Sequence, residues 1–290
     1  MKNPIMSASG TYDYGIHEME IYDTGALGAV VLKSVCFDKR PGNPMPRIYE
    51  LPYGMLNAVG IPSTALPEYV ETILPRYQNY PAPVIFSIVG RSPKDYFDSV
   101  KLLADNPHIA ALELNLSCPN IGSGLPFSAN ENILRETLGP LSGMTDIPIF
   151  AKLSPISSNI VDVAKAAEDC GMTAVTLTNT FPGMVIDIEK QRPVLGNKGG
   201  GVSGPCIKPL VMQIVYNVYS AINIPIIACG GVSSASDAIE YLLAGATAVQ
   251  VGSASFHNPL TMLEAIDGIH DYLCKYGYDS VRELIGLSHK

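Results

Sequence analysis

Short apolar runs recur along the chain and alternate with longer segments of helical periodicity. The runs give eight candidate strands at residues 3–8, 28–33, 84–89, 110–116, 148–153, 174–179, 225–230 and 247–252. Most of these runs are too apolar for strands with one face in water. Helical patterns follow at residues 64–78, 92–105, 129–142, 157–170, 206–222, 233–244 and 259–276. The repeated βα units predict an α/β protein whose parallel sheet is buried on both faces.

Eight such units in 290 residues favour a (β/α)8 TIM barrel over an open doubly wound sheet. No linker or low-complexity stretch divides the sequence, so we expect one domain over residues 1–290. Two connections, residues 34–63 and 180–205, are longer than ordinary βα loops, and the second contains a predicted hairpin at MVIDIEKQRPVLG. Both follow the carboxyl ends of strands, where barrel enzymes build their sites. We therefore expect functional inserted loops on that face.

The composition narrows the class of protein. Apolar residues make up 47% of the chain and charged residues 16%, which is typical of a globular protein with a large core. No run approaches the roughly 18–20 apolar residues of a membrane span, and the amino terminus has no secretion signal, so we expect a cytoplasmic protein without a membrane segment. The net charge of −8 without a basic stripe argues against a nucleic-acid partner. The six cysteines include no C-x-x-C pair, so we expect neither a metal site nor an iron–sulfur cluster in this chain.

Glycines at the ends of the last two predicted strands indicate an anion site. Gly230, Gly231, Gly252 and Ser253 stand at these ends, and Gly204 lies in the preceding long loop. In barrels, backbone N–H groups at this position converge on a phosphate. The alternative is that the glycines only permit tight turns. The sequence has no G-x-G-x-x-G after a strand and no P-loop motif, so it encodes neither of those nucleotide sites.

Other polar residues also fall at predicted strand ends. Lys33 and Lys152 lie in apolar strands and need an anion or an electron-rich ring as a partner, unless they only extend to the rim of the barrel. The segment ELNLSCPNIGSG places Cys118 between Asn115 and Asn120, which favours a reactive thiol over an inert core cysteine. We expect Asn57, Asn179 and Thr180 to lie at the same carboxyl end of the barrel. Amides without a carboxylate cluster fit a neutral heterocycle better than metal-assisted hydrolysis.

Long motifs in the chain are similar to those of a known enzyme family. They are KNPIMSASG, VVLKSV, RPGNPMPR, GMLNAVGIPS, ALELNLSCPN, AKLSP, TNTFPGM, GGGVSGPCIKP, IPIIACGGV and AVQVGSAS. In this order and spacing the sequence resembles the catalytic subunits of class 1B dihydroorotate dehydrogenases, the NAD-linked FMN enzymes of pyrimidine biosynthesis. Cys118 argues against the membrane-bound class 2 enzymes, which carry serine there. Asn120 argues against dihydropyrimidine dehydrogenase, and SGPCIKP favours class 1B over the fumarate-using class 1A.

The resemblance implies roles for individual residues. FMN contacts are implied for Ser9, Lys33, Ser34, Asn115, Lys152, Thr178, Gly204, Gly230, Gly231, Gly252 and Ser253. Contacts with dihydroorotate or orotate are implied for Lys33, Asn57, Ala58, Val59, Gly60, Ile61, Asn115, Asn120, Asn179 and Thr180. Cys118 matches the family's base, which removes a proton from C5 of dihydroorotate while a hydride passes from C6 to FMN.

The resemblance also implies a homodimer core and a heterotetramer with an electron-transfer subunit that carries FAD and [2Fe-2S] and passes electrons to NAD. Three alternatives stay open: a class 1A enzyme, an FMN barrel acting on another dihydropyrimidine, and a flavin-binding subunit without turnover. Two features depart from the family. Ser87 replaces the asparagine that usually contacts the flavin, and a hydroxyl offers fewer hydrogen bonds than an amide. The short β-rich segment that usually precedes the KNP motif is also lacking, which we expect to cost stability.

Overall fold

The parallel strands of the structure alternate with α-helices in the predicted order, except that the first two strands are separated by the 3-10 turns His17–Glu20 and Thr24–Ala26. The structure is a computed structural model that describes residues 1–12, 14–117 and 126–290. The barrel strands are β1 Ile5–Ser7, β2 Val30–Val31, β3 Val84–Val89, β4 Ala111–Asn115, β5 Ile149–Leu153, β6 Ala174–Leu177, β7 Ile226–Cys229 and β8 Ala248–Val251. Each lies within one of the predicted apolar runs. Neighbours in sequence are neighbours in the sheet from β2 to β8, and β8 pairs with β1.

The seam between β1 and β2 closes the barrel through few contacts. Met6 and Ala29 form a single parallel bridge there. The Val31 N–H donates to Ser7 Oγ at 2.8 Å, and this hydroxyl donates to the Val31 carbonyl at 3.3 Å. The Ser7 side chain thus takes the place of backbone hydrogen bonds that these two short strands do not supply. The order and closure confirm the predicted (β/α)8 barrel.

The helices pack around the outside of the barrel. They are α1 Leu66–Thr72, α2 Pro93–Leu103, α3 Glu131–Leu138, α4 Ile160–Asp169, α5 Lys208–Tyr219, α6 Ala235–Leu243, α7 Ala254–His257 and α8 Thr261–Tyr276. Two predicted helices are shorter than their patterns because prolines follow them. Pro75 and Pro140 lie in 3-10 turns, Leu74–Tyr77 and Gly139–Leu141, just after α1 and α3, since proline lacks the N–H that would continue an α-helix.

The inside of the barrel has an apolar lower layer and a polar upper layer. Met6, Val31, Ile85 and Ile227 are among the buried apolar residues that cluster in the lower layer. Two residues further along their strands, polar groups replace them, including Ser87, Glu113, Lys152, Thr176 and Gln250, all buried. The side chains in a strand alternate between faces, so residues two apart share the interior. The carboxyl end of the barrel is therefore polar inside.

The two long loops combine in a second, antiparallel sheet over this polar end. Strands Ile48–Leu51 and Gly54–Asn57 come from the first loop, and Phe181–Gly183 and Gly200–Ser203 come from the second. Gly54–Asn57 pairs with Gly200–Ser203, which joins the two loops. We call these four strands the cap sheet. The predicted hairpin is confirmed by the pairing of Ile186–Asp187 with Arg192–Pro193, whereas the cap sheet itself was not predicted. In the described ranges no helix is long and apolar enough to cross a bilayer.

Candidate functional site

A large cavity lies between the carboxyl ends of the barrel strands and the cap sheet. Its volume is about 960 Å³, within the ~300–1,000 Å³ of typical small-molecule sites. Barrel residues form the floor, and Met55, Asn57, Gly183, Gly200 and Ser203 of the cap sheet line one side. Because the cavity collects the ends of different strands and both long loops, its lining residues are far apart in sequence.

Most of the predicted site residues line this cavity. Of the predicted flavin contacts, these are Ser9, Lys33, Ser34, Asn115, Lys152, Thr178, Gly204, Gly230, Gly231, Gly252 and Ser253. Of the remaining predicted substrate contacts, these are Asn57, Val59, Gly60, Ile61, Asn179 and Thr180. Ser87 and Ala58 do not line it. Cys118 and Asn120 lie outside the described residues.

Amide side chains from three strand ends or loops meet in the cavity. Asn179 Nδ2 donates to Asn115 Oδ1 at 3.0 Å, and Asn115 Nδ2 donates to Ser34 Oγ at 3.3 Å. The Thr180 N–H donates to Asn179 Oδ1 at 2.8 Å, which fixes the orientation of that amide. Asn57 Nδ2 donates to the Gly201 carbonyl at 3.3 Å, within the cap sheet. These amides are preorganised by one another and still face the cavity, so they can recognise a polar planar ring.

Ser87 stands behind the cavity wall because its strand points it into the barrel. Its hydroxyl is fully buried and lies 2.8 Å from Ser34 Oγ, which in turn lies 2.9 Å from Ser9 Oγ. Ser87 therefore reaches the cavity only through Ser34. A longer amide at this position would extend further toward the cavity than the hydroxyl does. Ala58 is buried with Leu56 and Leu195 beneath the cap sheet.

The glycine end of the cavity presents unused backbone donors. The N–H groups of Gly230, Gly231 and Ser253 have no hydrogen-bond acceptor among the described residues. Gly231 has φ +70°, and a Cβ there would lie 2.7 Å from the Lys208 backbone nitrogen. Gly204 has φ +105°, and a Cβ there would lie 2.6 Å from Gly54 Cα. Both a left-handed backbone and close packing require glycine at these two positions. Free N–H groups on such a rigid backbone suit an anion such as a phosphate.

The two predicted lysines have different surroundings. Lys152 is buried, its Nζ lies 3.5 Å from Glu113 Oε1, and it donates to Gln250 Oε1 at 3.0 Å. Lys33 is only half-buried and has no ion-pair partner in the described part of the chain. The prediction that a buried lysine needs a partner is thus confirmed for Lys152, with a partner inside the barrel. Lys33 keeps its charge available to a ligand.

Burial and neighbouring charges have opposite effects on the pKa of Lys152, which lies on the floor of the cavity. Burial alone lowers the pKa of Lys152, but negative charge on its neighbours Cys229 and Glu113 outweighs burial and raises that pKa. Burial also raises the pKa of the Cys229 thiol. The Cys229 thiol therefore stays protonated near pH 7, where Glu113 is the negatively charged neighbour of Lys152. The floor of the cavity thus carries an ammonium that is paired with a buried carboxylate.

Several lining residues were not predicted. Ser117 and Ser154 line the cavity and follow β4 and β5, and Cys229 ends β7. A polar residue at the end of an apolar strand is the signal that could have found them. Glu113 was overlooked although its carboxylate interrupts the apolar run ALEL, as Lys152 interrupts FAKL. In the described ranges no three histidine, cysteine or acidic side chains converge as metal ligands.

Comparisons with known proteins agree with this geometry. The family model described as dihydroorotate dehydrogenase matches residues 1–273. A protein of Porphyromonas gingivalis named dihydroorotate dehydrogenase B (NAD(+)), catalytic subunit, is 42% identical over 287 residues, which cover 99% of this chain and 94% of the relative. Proteins with the same name from Bacillus pumilus and Geotalea daltonii are 40% and 41% identical, over 100% and 99% of this chain and 94% of each relative. The chain belongs to the dihydroorotate dehydrogenase family.

Proposed function

We propose that this chain is a dihydroorotate dehydrogenase catalytic subunit that oxidises (S)-dihydroorotate to orotate with FMN in pyrimidine biosynthesis. The observation that carries the proposal is one cavity with free N–H donors at its glycine end and oriented amides at its other end. FMN has a phosphate and a polar ring, and dihydroorotate is a small polar ring with a carboxylate. The names of the P. gingivalis, B. pumilus and G. daltonii relatives support this assignment.

The cavity residues fit FMN by their chemistry. The N–H groups of Gly230, Gly231 and Ser253 would hold the phosphate, and Lys152, Ser34 and Asn115 would contact the ring. When bound, FMN supplies the hydride acceptor that protein side chains lack. The chain contributes a rigid backbone for the phosphate and a fixed positive charge at the floor. Both act before the reaction begins, because neither group has to move to meet its ligand.

Substrate recognition would use the amides and the half-buried lysine. Asn57, Asn115 and Asn179 offer both donors and acceptors to the ring amides of dihydroorotate, and Thr180 lies beside them. Lys33 offers a charge for the substrate carboxylate. A cavity of this kind would reject rings without the matching polar groups, since the further donors and acceptors that these amides present to the cavity would then be covered without a partner.

The proton would be removed by Cys118. This residue lies outside the described ranges, but Ser117 and Pro126, which flank the segment 118–125, both line the cavity. The position of these two flanking residues supports Cys118 as a group at the substrate. A thiolate accepts a proton better as the pH approaches its ordinary pKa of about 8.5.

Electrons would leave through a partner subunit. The relatives are named catalytic subunits, and NAD(+) is part of their names. We propose a homodimer core bound to two electron-transfer subunits with FAD and [2Fe-2S]. This arrangement suits a chain whose sequence has no Rossmann motif and no C-x-x-C pair.

The test is anaerobic reduction of the purified, FMN-loaded protein. Dihydroorotate should bleach the flavin absorbance in a single turnover, whereas dihydrouracil, which lacks the carboxylate, should not. Fumarate should not reoxidise the reduced protein rapidly, in contrast to a class 1A enzyme. A flavin that dihydroorotate leaves oxidised would contradict the proposal, and bleaching by dihydrouracil instead would indicate another dihydropyrimidine as the substrate.

A further inference from the structure

A closed polar network fills the barrel directly beneath the cavity. Glu113 is fully buried, and its Oε2 accepts hydrogen bonds from Gln250 Nε2 at 2.7 Å and from Thr176 Oγ1 at 3.0 Å. Its Oε1 accepts no hydrogen bond in the described structure and lies 3.5 Å from Lys152 Nζ. Gln250 therefore contacts both members of the ion pair. Four strands supply these four side chains, so the network is fixed by the barrel itself.

An ion pair buried this deeply is expensive and is not explained by stability alone. Taking both charges out of water has a large free-energy cost, and apolar residues of similar size are often at least as stable. Lys152 lines the cavity while Glu113 does not. The pair thus exposes its positive member, Lys152, to a ligand in the cavity, whereas its negative member, Glu113, stays covered. A binding site can use this arrangement, because the ligand meets the positive charge while the compensating negative charge is out of its reach.

We propose that Glu113 is a positioning residue that keeps Lys152 charged and directed into the cavity, and so adjusts the reduction potential of the bound flavin. The inference rests on the proposed function, because it takes flavin to be the ligand above Lys152. A lysine buried without a counterion loses its proton readily. With Glu113 beneath it, Lys152 would hold its proton in both oxidation states of the flavin.

The groups that face Lys152 come from all sides of the barrel. Glu113 from β4 and Cys229 from β7 are the titratable groups that act on it in the described structure. Gln250 from β8 and Thr176 from β6 are uncharged. Lys33 from the end of β2 opens on the same cavity. The Cys229 thiol is neutral near pH 7, so replacing Glu113 by glutamine removes the only negative charge among these groups.

The network allows a test by an isosteric exchange. Glu113→Gln removes the charge and keeps the shape. Glu113→Gln combined with Gln250→Glu returns a carboxylate to the network on the other strand, next to the position where Gln250 Oε1 meets Lys152 Nζ at 3.0 Å. Thr176→Val is the matched control, since it removes one hydrogen bond to Glu113 and leaves both charges. A purely structural role would make this control resemble Glu113→Gln.

The first measurement is the midpoint potential of the FMN-loaded full chain between pH 7 and 9. In Glu113→Gln, Lys152 should take up one additional proton when the flavin gains two electrons. The extra proton changes the equilibrium constant for flavin reduction tenfold per pH unit. The potential of this two-electron couple should therefore fall by about 30 mV more per pH unit than in the wild type. The exchanged double variant and Thr176→Val should keep the wild-type slope. An unchanged slope in Glu113→Gln, or a steep slope that the exchange does not restore, would overturn the proposal.

The second measurement needs neither flavin nor dihydroorotate, so it separates this proposal from the proposed function. In the flavin-free full chain, Glu113→Gln would lower the folded-state pKa of Lys152 below its unfolded value of about 10.4. The unfolded chain then binds one more proton at Lys152, so the ratio of the unfolding equilibrium constant of Glu113→Gln to that of the wild type should rise about tenfold for each unit by which the pH falls in that window. The same ratio for the exchanged variant should not change with pH. The same dependence in all three proteins would contradict the role of Glu113.

Discussion

At the scale of single residues, two lysines with the same sequence context behave differently. Both lie near the end of an apolar strand, but Lys152 is paired inside the barrel and Lys33 is not. The difference is the carboxylate of Glu113 on the neighbouring strand β4, a pairing that no local pattern reveals. The sequence predicted that each lysine needs a partner, and only the packed barrel shows which partner is internal. The unpaired lysine is the one suited to an anionic substrate.

The proposed role of Cys118 as the base can be tested by replacing this one thiol. We expect Cys118→Ala to slow dihydroorotate-dependent flavin reduction by about 10²-fold or more, the usual loss for a general base, and to leave FMN bound. Stopped-flow absorbance of the anaerobic protein gives the rate. The wild-type rate should rise between pH 7 and 9 as the thiolate fraction grows, and this rise should be absent in the variant.

Cys274→Ala provides the control, because Cys274 is an exposed free cysteine on α8 and does not line the cavity. Its rate and pH profile should match those of the wild type. A Cys118→Ala protein with wild-type kinetics would remove this thiol from the mechanism.

The barrel strands and most site residues could be predicted because their signals are local. Each strand carries its own apolar run, and polar residues such as Asn115 and Lys152 mark the strand ends. The cap sheet could not be predicted, since Gly54–Asn57 is too short and too rich in turn residues to read as a strand and pairs with a segment far along the chain. Glu113 was overlooked for a related reason, because its partners lie on three other strands.

At the scale of elements, the glycine end of the cavity depends on backbone shape. We expect Gly231→Ala to raise the dissociation constant for FMN at least tenfold, because φ +70° and the nearby Lys208 backbone would force the free N–H groups to move. Fluorescence titration of the flavin-free protein measures this constant. Gly143→Ala is the matched control: its φ is +72°, with nothing within 4 Å of a Cβ. Gly143→Ala should lose ~1–2 kcal/mol of stability, and Gly231→Ala should lose more because its Cβ also meets the Lys208 backbone. Equal FMN affinity in both would contradict the anion site.

The start of α6 carries a pH-sensitive contact. Asp237 is buried and accepts hydrogen bonds from Lys208 Nζ at 2.6 Å, from the Ser233 N–H at 2.9 Å and from Ser234 Oγ at 2.9 Å. Burial raises the pKa of Asp237, but these donors, Lys208 foremost, outweigh burial and lower it. A lowered folded-state pKa means that the unfolded chain binds the proton first. The stabilisation is therefore complete above the unfolded value of about 3.9 and is lost as the pH falls through the folded value.

We expect Asp237→Asn to lose roughly 1–3 kcal/mol of unfolding free energy at pH 7 and to flatten its dependence on pH below about 5. Urea denaturation over a pH series measures both. Asp169→Asn removes an exposed ion pair with Arg135 and should cost at most ~1 kcal/mol. If the unfolding free energy of Asp237→Asn falls in acid as steeply as that of the wild type, other carboxylates control acid unfolding.

At the scale of the whole molecule, the barrel uses one end for its site and the rest for support. The polar upper layer, the free N–H groups and the cap sheet all belong to the carboxyl end of the strands. The excess of acidic residues over basic ones does not prevent anion binding there, because Lys33, Lys152 and backbone donors act locally. The net charge of −8 is a sum over the whole chain and says little about the cavity.

Transfer of electrons to NAD should require a second kind of subunit. We expect the FMN-loaded chain alone to reduce an artificial dye with dihydroorotate but to form no NADH, measured at 340 nm. NADH formation should appear when an FAD and iron–sulfur subunit from the same source is added. Rapid NADH formation by the isolated chain would contradict the proposal that a separate subunit passes the electrons to NAD.

The pairing within the cap sheet also bears on how a break in the backbone would affect the cavity. The hairpin between Phe181–Gly183 and Gly200–Ser203 is exposed at its tip, where Ile188 is 80% accessible. A break at this tip would leave both flanks hydrogen-bonded to each other, and one of them to Gly54–Asn57. A break in the backbone at this tip is therefore expected to leave the cap sheet over the cavity. A protease that cuts there should nick the chain without opening the site.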